Sequence, residues 1–158
     1  MIEFKAISDE NFSACTKLSP GEGNLKFVAP NTMSLAQAYL AIANDLCTPM
    51  PFAIYNDGIL VGFIQLAYLR ADQDDDIDEP IYEVWRFMID EAYQGKGYGK
   101  LALKKAIDYI KTFPYGQANK LYLSYVPGNE GASGLYKSVG FEATGALDGE
   151  EIVMALDL

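Results

Sequence analysis

Tyr93-Gln94-Gly95-Lys96-Gly97-Tyr98-Gly99-Lys100 decides how the rest of this chain is read. Its glycines at alternate positions leave a backbone with few Cβ atoms, so its amides can converge on one anion in a concave nest. A strand-like run, 84–89, leads into the loop, and an amphipathic pattern at helical spacing, 101–110, leaves it. Strand, glycine loop and helix therefore come in the order that seats a phosphate at a helix N-terminus. The stretch predicts a pyrophosphate site.

Spacing narrows the ligand. A P-loop requires Ser or Thr after its lysine to hold magnesium, and Lys100 is followed by Leu101. A dinucleotide fingerprint requires Gly-x-Gly-x-x-Gly, which Gly95, Gly97 and Gly99 do not match, and the strand at 121–126 ends on no acidic residue. What remains is Gln-x-x-Gly-x-Gly, read at Gln94, Gly97 and Gly99, set against the plainer reading of a surface turn with a glycine-rich cap.

Composition bounds the rest. At 158 residues the chain is expected to form one domain, 1–158, with a full core. No apolar run is long enough for a bilayer span, so no membrane association is expected. No basic-then-apolar segment opens the chain, which predicts a cytoplasmic location. Cys15 and Cys47 stand in no metal-ligand spacing and histidine is absent, so Ser-His and Cys-His nucleophiles are excluded and no metal is expected. A formal charge of −10 argues against nucleic acid, whose binding needs cationic side chains. The same field draws in a cationic partner and repels an anionic one, which must then be caught by local amides and a few lysines.

The coarse organisation is continuous. Ile2, Phe4 and Ala6 alternate as a strand, and Ser8 is expected to cap a short helix to about Lys17. A loop follows at 20–30, then a helix opened by a Ser34–Gln37 capping box and running to about Leu46. Strands at 52–55 and 59–68 flank Asn56-Asp57-Gly58, a hairpin signal. A charged loop at 70–80 precedes the strand at 81–89. A strand at 121–126, a helix at 132–139 stopped by Gly140, and a hairpin turning at Asp148-Gly149 complete the chain.

This order, with Gln94, Gly97 and Gly99, resembles the GNAT N-acetyltransferase superfamily over nearly the whole chain. A second motif joins it: Asn129, Ala132, Leu135, Tyr136, Gly140 and Phe141 stand as in the superfamily's Asn…Ala..Leu-Tyr…Gly-Phe segment. Phe27-Val28-Ala29-Pro30-Asn31, Phe52-Ala53-Ile54-Tyr55 and Phe87-Met88-Ile89-Asp90 are similar to bacterial spermine/spermidine (diamine) acetyltransferases. The resemblance implies an α/β (α+β) fold, a mixed central sheet with helices on both faces. It implies acetyl-CoA as co-substrate and direct transfer to an amine.

It also implies roles. Acetyl-CoA would be held by the backbone of Phe87, Met88 and Ile89, by Gln94, Gly95, Lys96, Gly97, Tyr98, Gly99 and Lys100, and by Asn129 and Tyr136. An amide of Met88 or Ile89 would stabilise the oxyanion. Tyr136 is the candidate general acid, since a phenol is protonated at neutral pH. Glu83, on the strand facing the acceptor, is the candidate base, set against an ordinary solvated or paired carboxylate. Trp85 is a candidate cation–π contact, set against core packing. Glu22 and the loop residues Asp74, Asp75 and Asp76 are candidate contacts for a small cationic amine. Three alternatives stay open: another small-molecule acceptor such as an amino acid or aminoglycoside, a protein amine, or a non-catalytic acyl-CoA-binding module. A homodimer is possible, and the sequence does not reveal the oligomeric state.

Overall fold

The computed structural model describes all 158 residues and joins seven strands in one sheet of order β1-β2-β3-β4-β5-β7-β6. In chain order the elements are β1 (Ile2–Ala6), α1 (Phe12–Cys15), α2 (Asn31–Ala43), β2 (Thr48–Asn56), β3 (Ile59–Leu69) and β4 (Ile81–Ile89). They continue with α3 (Tyr98–Ile110), β5 (Lys120–Tyr125), α4 (Glu130–Lys137), β6 (Glu142–Asp148) and β7 (Glu151–Asp157). All strand pairs are antiparallel except β4 with β5. The larger core lies under α3, where Leu103, Ala106 and Ile110 meet Ile64, Leu66, Tyr82 and Val84 of the sheet. On the other face, under α1 and α2, Cys15 packs with Ala53, Phe63 and Met88. No helix is long and apolar enough to cross a membrane.

Most expected elements are present, with informative shifts. The Asn56-Asp57-Gly58 turn forms, Asp57 and Gly58 taking φ of 49° and 81°, the left-handed pair that suits the twist of a tight hairpin. Strand β2 begins earlier than its apolar pattern, at Thr48, and takes in Pro49 and Pro51. Both are tolerated because β1 pairs only with Phe52 onward, so the strand edge beside them donates to no ladder. Ser8 does not cap α1; Asn11 does the local work, its Oδ1 accepting from Ser8 N (2.9 Å) and its Nδ2 donating to Ala6 O (2.9 Å). Nor do Ser34 and Gln37 form a capping box. Helix α2 opens at Asn31 behind Pro30, Ser34 is buried within it, and Gln37 Oε1 accepts from Arg86 Nη2 at 2.9 Å.

Two local features place the site. Strands β4 and β5 pair only at Tyr82–Leu121 and Glu83–Tyr122, then part. Opposite β3, the register slips between Gln65, facing Arg86, and Leu66, facing Val84, so Trp85 is an extra residue on β4. This bulge re-aims the chain. Glu83, Trp85, Arg86 and Met88 end on the α2 side, while Phe87 turns toward α3.

The β3–β4 contact is tight enough to be tested. A Cβ on Gly62 would lie 2.5 Å from the Met88 carbonyl oxygen and 2.9 Å from Ile89 Cδ1. Gly62→Ala is expected to lose about 1–3 kcal/mol in urea unfolding. Gly134→Ala, in α4 with open space around its Cβ, is expected to gain about 1 kcal/mol.

Candidate active site

The parted strands open a cleft of about 1600 Å³. That exceeds the usual range for a single drug-sized ligand, roughly 300–1,000 Å³, and leaves room for a long co-substrate and an acceptor together. One end is made of backbone. Gly95 and Gly97 hold φ of 74° and 82°, and Gly97 is the N-cap of α3 with no side-chain cap. A Cβ at either glycine would meet no protein atom and would instead fill the concavity the loop leaves open. The uncapped first turn of α3, with Tyr98, Gly99 and Lys100, faces the same cleft, as does the start of α4 at Asn129. The glycine nest and the uncapped first turn of α3 thus offer free amides to this end of the cleft, and the cradle fits a pyrophosphate.

The loop is braced from behind. Gln94 Nε2 donates to Ile89 O (2.9 Å) and Pro20 O (3.0 Å), tying the strand end to the early loop. Asp90 adds a second tie, accepting from Ser19 N at 3.0 Å and Ala92 N at 3.1 Å. Lys96 turns back to Ala92 O (3.1 Å) and over the Tyr93 ring, so its ammonium is directed away from the cleft. Asn129 lines the cleft while its Oδ1 accepts from Ala132 N at 3.3 Å, capping α4.

Strand alternation assigns the backbone groups of β4. Asp90 N donates to Val61 O on β3 (2.9 Å), and Met88 pairs with Phe63 two positions earlier in the same ladder. The amide of Met88 therefore faces β3, and those of Phe87 and Ile89 face the gap toward β5. Of the two oxyanion donors expected from the sequence, geometry leaves Ile89.

The other end of the cleft is acidic. Asp74, Asp76, Glu83, Asp148 and Glu151 line it, with Trp85 and Arg86. Burial pushes the Glu83 carboxyl up to about 7, reinforced by Asp148 and Asp74 and opposed by Arg86. Arg86 is held by Trp85 O (2.8 Å) and Gln37 (2.9 Å), and its guanidinium lies 5.8 Å from the Trp85 ring centroid, occupying the face expected for an acceptor cation. Tyr136 is buried in the cleft wall, and burial, with Glu151, pushes its hydroxyl up to about 12. It stays a proton donor throughout the ordinary pH range.

The expected site residues thus divide. Tyr136, Glu83, Phe87, Met88, Ile89, Gln94, Gly95, Gly97, Tyr98, Gly99, Lys100, Asn129, Asp74, Asp76 and Trp85 line one cleft; Glu22, Asp75 and Lys96 do not. Glu22 is exposed in a single helical turn, outside the cleft that its neighbours Pro20 and Asn24 line, and Asp75 is exposed while Asp74 accepts from Asp76 N. Sequence reasoning missed Asp148 and Glu151. They flank the last hairpin turn, and only the β5–β7–β6 order returns that turn to the cleft, where Glu151 accepts from Ser124 Oγ at 3.3 Å.

The acetyltransferase (GNAT) family model matches residues 25–141. Spermine/spermidine N(1)-acetyltransferase of Bacillus subtilis (strain 168) is 32% identical over 155 residues, covering 97% of each chain. Among solved structures, the PaiA N-acetyltransferase of Thermoplasma acidophilum in complex with coenzyme A aligns with a TM-score of 0.67 at 17% identity, covering 100% of this chain and 99% of that one. Aminoglycoside acetyltransferase AAC(6')-Ib in complex with coenzyme A gives 0.78 at 14%, covering 99% and 95%. At these identities the two structures bear on the fold.

Glu83 yields a pH test. Because its folded pKa is raised, its favourable contribution is present below the unfolded value near 4.5 and is lost as pH rises through about 7. Glu83→Gln is therefore expected to raise Tm at pH 8, by roughly 1–3 kcal/mol of stability, and to change little at pH 4.5. Thermal unfolding of both proteins at the two pH values checks the sign.

Proposed function

The chain belongs to the GNAT acetyltransferase family, and we propose that it moves the acetyl group of acetyl-CoA directly onto a primary amine of a polyamine such as spermidine or spermine. The observation that carries this reading is the polarity of the cleft. Converging amides at one end suit an anionic co-substrate, and a group of carboxylates at the other suits a polycation. The named activity of the Bacillus subtilis relative supports the same acceptor class.

Bound acetyl-CoA supplies an activated acyl carbon; the chain supplies position and proton movement. The Gly95–Gly97 nest and the first turn of α3 hold the pyrophosphate, and the β5-facing groups of Phe87 and Ile89 align the arm that follows it. Glu83 takes a proton from the acceptor ammonium, leaving a nitrogen lone pair to attack. With a pKa near 7 it is ionised in a useful fraction of molecules at neutral pH, yet basic enough to work. The Ile89 amide donates to the oxygen on which charge develops. As the nitrogen–carbon bond forms and the carbon–sulfur bond breaks, the nitrogen releases its second proton to solvent, Tyr136 passes its hydroxyl proton to sulfur and is reprotonated from solvent, and Glu83 returns its proton to solvent. Asp74, Asp76, Asp148 and Glu151 hold the remaining ammonium groups and raise the local concentration of acceptor.

Thiol release from acetyl-CoA, measured with polyamines, amino acids, aminoglycosides and neutral amines, tests the reading. Spermidine and spermine are expected to give the highest kcat/KM, with KM rising as salt screens the acidic end. Charge-blind selectivity with a salt-independent KM would reject the polyamine and leave the acetyltransferase. Thiol release with none of these acceptors would leave a binding module.

Tyr136→Phe keeps the buried ring and removes only the hydroxyl. If that proton reaches sulfur, kcat should fall roughly 10²–10⁴-fold with acetyl-CoA affinity nearly unchanged. Near-normal kcat in single turnover would assign the proton to another group.

A further inference from the structure

Arg86 is a cation held among acids by neutral groups. Residues at odd spacing on a regular strand point to opposite faces, but the bulge at Trp85 brings Glu83 and Arg86 to the same side of β4. The cleft there is lined by Asp74, Asp76, Glu83, Asp148 and Glu151. The ion pairs of the chain are made by the Met1 amino group, Arg70 and Lys120, and none is made by Arg86. Its donors go instead to Trp85 O (2.8 Å) and Gln37 Oε1 (2.9 Å). The residue opposite it on β3 is Gln65, uncharged and fully buried. A guanidinium bonded to a carboxylate has its field cancelled at close range. Held by neutral oxygens, Arg86 carries its full charge into the cleft, and no ordinary pH removes it.

We propose that Arg86 determines acceptor specificity as a resident cation, standing where an ammonium group of a polyamine would otherwise lie and lowering affinity more steeply the more charges the acceptor carries. This rests on the amine-acceptor reading above and concerns which amines the same cleft prefers. The place is fixed by two observations. The guanidinium lies 5.8 Å from the ring centroid of Trp85, the one tryptophan of the chain, so that cation–π position is already taken. The other cations that line the cleft stand elsewhere, Lys100 in the first turn of α3 and Lys26 in the loop before α2, over the Phe27 ring. The carboxylates that sense Arg86 are also identified. Burial pulls its guanidinium down from the ordinary value while Glu151 and Glu83 push it back up.

The resident charge has a use in turnover. Carboxylates left without it would hold a polycation tightly, and would hold the acetylated product almost as tightly, because acetylation removes only one of its charges. Such uniform tightening lowers KM without raising kcat. Arg86 opposes both states alike. Gln37, anchored on α2, keeps the guanidinium from swinging across to pair with Glu83 or Glu151.

Isothermal titration with propylamine, spermidine and spermine, in order of rising charge, reads the outcome. Coenzyme A is present throughout, so no acetyl group is transferred. In Arg86→Gln the gain in affinity should rise with acceptor charge, from about twofold for propylamine to roughly tenfold or more for spermine, and should shrink as salt is added. Arg86→Met, neutral and similar in length, should gain as much, which separates charge from space. Arg86→Lys keeps the charge and should stay near wild type. Either neutral variant decides the matter where circular dichroism shows the other unfolded. A gain equal for all three amines, or one that Arg86→Lys reproduces, assigns the effect to packing and overturns the proposal. Unchanged spermine affinity in both neutral variants also overturns it and leaves the polyamine reading standing. No spermine binding by wild type or variants rejects the polyamine reading, and this inference with it.

Discussion

The parting of β4 from β5 is the constraint on which the rest of the molecule depends. Two registered pairs hold the strands together, and beyond Glu83 the β5-facing backbone of β4 has no ladder partner. Unpaired backbone in a sheet interior is costly unless something else satisfies it, so such a gap persists only where surrounding structure enforces it. Here β5 is drawn away by β7, with which it pairs along its whole length. The end of β4 is fixed by Gln94 and Asp90, which tie it to the early loop. The groups left over are amides and carbonyls in known positions. Backbone can therefore grip a co-substrate while the side chains of Phe87 and Ile89 remain available for packing.

Charge is divided along the cleft for the same reason. In a chain of −10, an anion captured by mobile lysines would compete with carboxylates for them. Amides aimed by positive-φ glycines offer no such competition. At the far end Glu83 is held near its midpoint by burial, by Asp148 and Asp74, and by the opposing Arg86. On the proposed reading, a polycation entering among these acids shifts the balance toward the carboxylate. The base would then be fully ionised only once its acceptor is present.

Local chemistry was legible in the sequence, and long-range return was not. Alternating glycines, the Asn56-Asp57-Gly58 turn and the amphipathic 101–110 pattern each state their conformation within a few residues, and each element formed as read. Capping assignments failed where two candidates lay close together. Asn11 outcompeted Ser8 because its amide bonds in both directions, and Pro30 opened α2 before Ser34 was reached. The bulge at Trp85 left no periodic signature, since one inserted residue only shifts the phase of a strand whose two polar residues, Glu83 and Arg86, are too few to mark the slip. Asp148 and Glu151 were invisible for a different reason: a turn near the C-terminus reaches Glu83 only through a strand order in which β7 lies between β5 and β6.

The small-residue inner face of helix α2 follows from the same crowding. On its face of the sheet, the bulge presents Trp85 and Arg86 in succession, and Asn31 must reach Cys15 O at 2.9 Å while Gln37 reaches Arg86. The fully buried positions of a helix drawn that close are small or hydrogen-bonding residues, Asn31, Ser34, Ala38 and Ala41, with Leu35 packing from the flank against Cys15, Ala53, Phe63 and Met88. Met33, Tyr39, Leu40 and Ile42 are thereby left on the outside of the helix, each more than half exposed.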